Sequence, residues 1–339
     1  MFIGGFDPNR RLVGIDVGGT KSLGVAMAPT ADPDNDVALE VTVEERLLTP
    51  RGDGSAEELV DALVTLARSL CGDVDPRDRR RVTVGIGVPG LVDRQGVLRA
   101  APNLDGVADL EIARRVGERL GAPVHVDNDG TCATLAEWRL GAARGTSDAV
   151  LITLGTGIGG GLVSNGRLQR GANGFAGEFG HMVIDPDGPR CPCGRRGCWE
   201  RYASGSGLAM LAREAATGRR LRHVVELAGG DPQAVRGEHV YAAAQAGDPE
   251  ALAVIDDFAR FVALGLSNLT NALDPEVFVL GGGLAVGAEI YLEPIQNWFR
   301  QLLYQPHLRP VPRLAFAQWS ELAGAVGAAL LPLVSAVDS

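Results

Sequence analysis

The sequence has no surplus of basic residues. Thirty-two Lys and Arg stand against 42 Asp and Glu, for a net charge of −10 and a pI of about 5.1. A nucleic-acid binder usually carries a basic face, so DNA and RNA are not the expected partners. Cysteine is scarce too. The five present are an odd number, three of them crowded into Cys191–Cys198, which argues against the disulfide framework of a secreted domain. The opening text, MFIGGFDPNRRLVGID, lacks the basic segment and long apolar run of a signal peptide. A membrane span is also missing. The most apolar stretch, Leu322 to Val337, is short, rich in Gly and Ala and broken by Pro332, and reads as a buried C-terminal helix. These absences together place the protein in the cytoplasm, away from membranes.

What is present is an ordinary globular composition, 45% hydrophobic and 22% charged, over 339 residues. That length suggests two domains, each with its own core. Strands are predicted at Arg11 to Val17, in SLGVAMA after the GGT turn, and at Val37 to Leu48. Ser55 to Leu70 has helical spacing, with Ser55 as cap and Glu58 at the capping-box position. Arg81 to Gly90 reads as a buried strand, residues 108–121 as an amphipathic helix, PVHVDND as a strand and GTCATLAEWRLGAARG as a helix. At Asp148 to Gly166 the layout of strand, glycine turn and strand begins again. Two halves that open alike imply a duplicated α/β unit. A helix-rich region follows. EVFVLGGGLAVGAEIYLEPIQNWFRQLL then reads as strand, glycine turn and helix, ahead of a strand near RLAFAQ.

Three glycine turns stand out. In the first, Gly18-Gly19-Thr20-Lys21, threonine precedes lysine and a strand follows, so it is not a P-loop. It offers backbone N–H groups and a Thr hydroxyl to a phosphate, and Asp16 just before it can hold hydrated Mg²⁺. An ordinary hairpin has the same text. Gly155-Thr156-Gly157 repeats the design, and Gly281-Gly282-Gly283 is a third turn that leads into a helix. The three together suggest a nucleotide cradle, with phosphates between the first two and the adenosine end near the third. Asp129, where a strand gives way to a helix, reads equally well as a helix cap or as a catalytic carboxylate.

IDVGGTK, VDNDGT, LGTGIGGG, GEFGH and CPCGRRGCWE, in this order, resemble the ROK family of sugar kinases within the actin/hexokinase superfamily, from about Leu12 to Leu331. Within the family the text is most similar to glucokinases of the actinobacterial type. The resemblance implies a duplicated, ribonuclease H-like α/β fold of two domains with a cleft between them. The small domain would span residues 1–128 and be rejoined by the C-terminal helix at about 320–339. The large domain would span 129–319. Family repressors carry an N-terminal helix-turn-helix domain, and the segment before Arg11 is too short for one.

The resemblance assigns Asp129 as the base that takes the sugar hydroxyl proton. Asn103, Asn128, Glu178, His181 and Glu200 become the sugar clamp, although a solvated loop charge is the plain alternative for Glu178 and Glu200. Asp127, Thr131 and Val107 stand where the family has Glu, Asn and an aromatic residue. Cys191, Cys193 and Cys198 with His181 make four N and S ligands suited to structural tetrahedral Zn²⁺, whereas a disulfide would leave one thiol over. Cys71 and Cys132 read as packing residues. The expected activity is phosphorylation of a hexose, glucose first, with ATP and Mg²⁺, by a homodimer or homotetramer. N-acetylmannosamine or fructose as substrate, or a non-catalytic sugar sensor, are the alternatives.

Overall fold

The computed structural model describes residues 10–30, 38–50, 52, 55–78, 81–104, 106–218 and 221–335. Val37 and the last residues of the expected C-terminal helix, 336–339, lie outside them. In chain order the regular elements begin with β1 (Arg11–Val17), β2 (Lys21–Thr30), β3 (Ala38–Leu48), α1 (Ser55–Cys71) and β4 (Val82–Val88). Three short strands follow, β5 (Leu91–Val92), β6 (Leu98–Ala100) and β7 (Ala108–Leu110), then α2 (Ile112–Leu120), β8 (Val124–Asn128) and α3 (Asp129–Leu140). The second half holds β9 (Ala149–Leu154), β10 (Ile158–Ser164), β11 (Arg167–Gln169), α4 (Glu200–Ala203), α5 (Gly205–Thr217), α6 (Arg222–Leu227), α7 (Gly237–Gln245) and α8 (Pro249–Leu273). It ends with β12 (Val277–Gly281), α9 (Ala288–Leu302), β13 (Arg313–Phe316) and α10 (Ala323–Ser335).

The duplication is visible in the topology. One five-stranded sheet runs β3-β2-β1-β4-β8 and the other β11-β10-β9-β12-β13. In each, a central strand pairs antiparallel with the hairpin strand that follows it and parallel with a later strand. The central strands are apolar almost without alternation, because both of their faces are covered.

Two compact units result. One takes the described residues up to Arg144, Leu168–Gly177 and the stretch from Glu321 onward. The other takes Gly145–Arg167 and Glu178–Ser320. The sequence boundary at 128 therefore differs from the structural one. Helix α3 stays with the first unit because α10 packs directly on it: a Cβ at Gly327 would sit 1.7 Å from the Cys132 carbonyl oxygen. Helix α10 also lies on the first sheet, where a Cβ at Gly85 would meet the Ala328 carbonyl oxygen at 1.9 Å. It is apolar because it is buried, and among the described residues no helix is long and apolar enough to cross a membrane.

The helix expected over 108–121 starts only at Ile112. Leu110 and Ala108 pair instead with Leu98 and Ala100, and Asp109 between them has φ 47°, which a right-handed helix does not admit. In the second unit, α8 is the central helix. Asp248 caps it by accepting from the Glu250 and Ala251 N–H groups, Pro249 opens it, and Phe258, Val262 and Leu266 are among its fully buried residues.

Candidate active site

In the first unit, β1 delivers Asp16 to the edge of the first glycine turn. Its side chain is half-buried, and Oδ1, itself buried, has no hydrogen-bond partner. Burial, and secondarily the charge of Asp129, push its carboxyl up to about 7. An orphaned buried carboxylate oxygen fits a group that receives a cation. The turn itself is a tight hairpin. Gly18 N–H donates to the Lys21 carbonyl (3.0 Å), and the Thr49 hydroxyl donates to the Gly18 carbonyl (2.7 Å). The Gly18 N–H, expected to face a phosphate, is therefore spent on closing the turn.

Asp129 is not the helix cap. Asn128 is: its Oδ1 accepts from the Thr131 N–H (3.1 Å) and its Nδ2 donates to the Gly90 carbonyl (3.0 Å). That leaves Asp129 as the first residue of α3, where its Oδ1 accepts from the Gly130 N–H (2.8 Å). Asn128 thus already holds two backbone partners, while Asn103 lies on an exposed turn of the same unit. Asp127 is buried and ion-paired to the Arg170 guanidinium, and its other oxygen accepts from the Asn128 N–H (2.9 Å). Nothing in local spacing signals Arg170. The pair ties the returning segment 168–177 to the strand that presents Asn128 and Asp129.

In the second unit the remaining two turns meet. Gly155 N–H donates to the Gly157 carbonyl (3.0 Å), repeating the closure of the first hairpin, and the Gly155 carbonyl accepts from Gly205 at the start of α5 (2.8 Å). The Thr156 carbonyl accepts from the Ser206 hydroxyl (2.8 Å). Gly282, with φ 83°, lies against the Leu154 backbone, where a Cβ would come within 2.7 Å. A 3₁₀ turn, Gly283–Gly287, then intervenes before α9.

The cysteine loop gathers its expected ligands. One atom each from His181, Cys191, Cys193 and Cys198 lies within 4.8 Å of the others. His181 turns Nδ1 toward the cluster, 3.9 Å from the Cys191 sulfur, and Cys193 and Cys198 are 3.5 Å apart. Three thiols and one ring nitrogen in this arrangement fit a tetrahedral zinc ion. Glu200 borders the cluster. Its Oε1 accepts from the Cys191 thiol (3.0 Å) and lies 3.5 Å from His181 Nδ1, while Oε2 reaches Gly157, where a Cβ would come within 2.9 Å. Burial raises the Glu178 carboxyl; His181 opposes the rise and Glu200 adds to it. His181, Glu178 and Glu200 therefore belong to one wall of polar groups. The backbone braces it: the Trp199 N–H donates to the Met182 carbonyl (2.7 Å) and Ile184 to the Gly197 carbonyl (2.9 Å).

Two sheets of matching strand order, each opening on a glycine hairpin, define a duplicated α/β protein of the actin/hexokinase type. The chain belongs to the ROK family, whose pattern it matches over residues 12–334. It is 35% identical to the glucokinase of Streptomyces coelicolor over 320 residues, 94% of this chain and 96% of that one. It is 34% identical to the N-acetylmannosamine kinase of Citrobacter koseri over 94% of this chain and 97% of the relative. Among solved structures it is similar to a ROK family glucokinase from Streptomyces griseus in complex with glucose and AMPPNP. There the TM-score is 0.78 and the identity 36%, over 95% of this chain and 98% of the other.

Proposed function

We propose that the chain is an ATP-dependent hexokinase that phosphorylates the 6-hydroxyl of glucose. The observation that carries this reading is the carboxylate pair of the first unit. Asn128 caps α3, so capping does not account for an aspartate at 129, and its charge acts on Asp16, whose buried Oδ1 has no hydrogen-bond partner. Phosphoryl transfer needs a group to accept the sugar hydroxyl proton and a cation on the phosphates, and otherwise runs on positioning and electrostatics. In this reading Asp129 takes the proton from the attacking hydroxyl. Asp16 would hold hydrated Mg²⁺, which would supply positive charge beside the phosphates. The likeness to a glucokinase crystallised with glucose and AMPPNP supports both substrates.

Asn103, Asn128, Glu178, His181 and Glu200 bind the sugar hydroxyls, where an unpaired partner costs about 1–3 kcal/mol and so gives selectivity. Gly18, Gly19, Thr20 and Lys21, Gly155, Thr156 and Gly157, and Gly281, Gly282 and Gly283 contact the nucleotide. His181 Nδ1, Cys191, Cys193 and Cys198 hold a structural Zn²⁺, which leaves His181 Nε2 for the sugar. The enzyme works in the cytoplasm as a homodimer or homotetramer.

An ADP-release assay over a hexose panel tests the reading. Glucose is expected to give the highest kcat/KM. Preference for N-acetylmannosamine, suggested by the likeness to the Citrobacter kinase, would replace the substrate only. Tight sugar binding without turnover of any hexose overturns the enzyme reading in favour of a sensor.

A further inference from the structure

Trp199 separates the ligand Cys198 from the carboxylate Glu200, and its indole is fully buried. It does not merely fill a hole. The ring lies in a notch on α8 that exists only because residue 265 is glycine: a Cβ there would fall 2.0 Å from the indole Cε2 and 2.3 Å from Cζ2. One helical turn earlier, the Phe261 carbonyl accepts from the indole Nε1–H at 2.8 Å. Three residues after Trp199, Tyr202 stacks on the Phe261 ring with centroids 4.6 Å apart, and its hydroxyl donates to Asp185 at 2.7 Å. Helix α4, which begins at Glu200, is thus pinned to one turn of the long α8 by an aromatic residue on each side of the carboxylate.

The other side of the same residue faces the cysteine loop. The Trp199 N–H donates to the Met182 carbonyl, next to His181, and Val183 bridges Cys198. Glu200 in turn touches Cys191, His181 and the Gly157 turn. A shift of the indole must therefore move a thiol ligand and a sugar-binding carboxylate together.

We infer that Trp199 is a positioning residue: its indole, seated in the Gly265 notch of α8, sets both the Cys198 thiol and the Glu200 carboxylate against His181. The inference rests on the zinc and sugar roles proposed above. Helix α8 supplies a rigid reference, with 25 residues and a buried face, so the loop inherits its register from the core rather than from its own short turns. Outer groups that orient metal ligands commonly change metal affinity or activity by about 10–100-fold when altered.

The test is Gly265→Ala in the whole 339-residue chain. Its Cβ expels the indole from the notch. Zinc release to a chelating dye should quicken on the order of 10-fold, and the glucose KM should rise by a similar factor. The KM for ATP should stay within about twofold, a split that a general loss of folding does not produce. In a Trp199→Ala background the Gly265→Ala change should add almost nothing, since the group it displaces is gone. Should Gly265→Ala fail to fold, Trp199→Phe, which removes the Nε1–H bond, should move zinc release and glucose KM in the same directions. Wild-type protein that retains zinc and turns over glucose, while Gly265→Ala or Trp199→Phe leaves zinc release and glucose KM unchanged, overturns this inference alone. Wild-type protein purified without zinc overturns the metal reading and this inference with it.

Discussion

Gly324 stands against Asp16 so closely that a Cβ on it would lie 2.5 Å from the carboxylate carbon and 2.6 Å from Oδ2. The second residue of α10 therefore leaves room for the aspartate at the end of β1. Gly324→Ala should push that carboxylate out of place. The expected result is a rise of about 10-fold or more in the Mg²⁺ concentration needed for half-maximal rate, with sugar binding by calorimetry little changed. A magnesium titration at saturating ATP and sugar checks it. An unchanged titration removes Asp16 as the cation-holding group.

Asp129→Asn keeps the shape of the first turn of α3 but cannot take a proton at neutral pH. Turnover should fall by about 10²–10⁴-fold while the sugar KM changes little. A variant with normal kcat would sink the base assignment.

The proposed zinc site is tested in the other unit. Chelation, or Cys198→Ser, should release the loop that carries Glu200 and hold His181 less firmly. Glucose KM should rise or the loop should become protease-sensitive, and single-turnover transfer at saturating sugar should persist in protein that stays folded. If zinc-free enzyme binds glucose with unchanged affinity, the metal does not shape the sugar wall.

Arg170→Met leaves Asp127 buried without its cation. Breaking a buried pair from one side costs about 3–5 kcal/mol, whereas removing both charges is often nearly neutral. Denaturant unfolding should therefore show a large loss for Arg170→Met and substantial recovery on adding Asp127→Asn. A small loss for the single variant would mean that the pair is solvated in solution.

His125 shares a cavity of about 190 Å³ with Asp93, Arg94, Asp127 and Arg170. Burial first, and the Arg170 charge second, hold its imidazole below the ordinary value of 6.5. The unfolded chain then binds the proton more readily than the folded one, so stability present above about pH 6.5 is lost as the pH falls below it. Thermal melts of His125→Gln from pH 7.5 to 5 should decline less steeply than those of the wild type. Parallel slopes would show that other groups govern the acid limb.

Much of the architecture was legible because it depends on neighbours in sequence. The glycine hairpins at Gly18 and Gly155, the helix of Ser55 and the run of β1 follow from turn chemistry and periodicity, and the repeat of the first motif in the second announced the duplicated sheet. The cysteine spacing, with His181 upstream, named four residues whose donor atoms the structure brings within 4.8 Å of one another. Local rules failed where two local answers competed. Asn128 and Asp129 are both good caps, and only the Gly90 carbonyl, which holds the Asn128 amide, selected the first. The strand at Ala108–Leu110 reads as helix until its partner Leu98 is in place.

The sequence by itself determined the family, the repeated sheet and the residue types of the proposed sugar, nucleotide and metal sites. Tertiary structure alone decided which groups hold those residues in place. Arg170 lies 43 residues from Asp127, and Trp199 lies 62 from the carbonyl it bonds. Such pairings leave no local periodicity or turn signal, since they arise only when separate elements pack and a buried charge or indole N–H must find a partner.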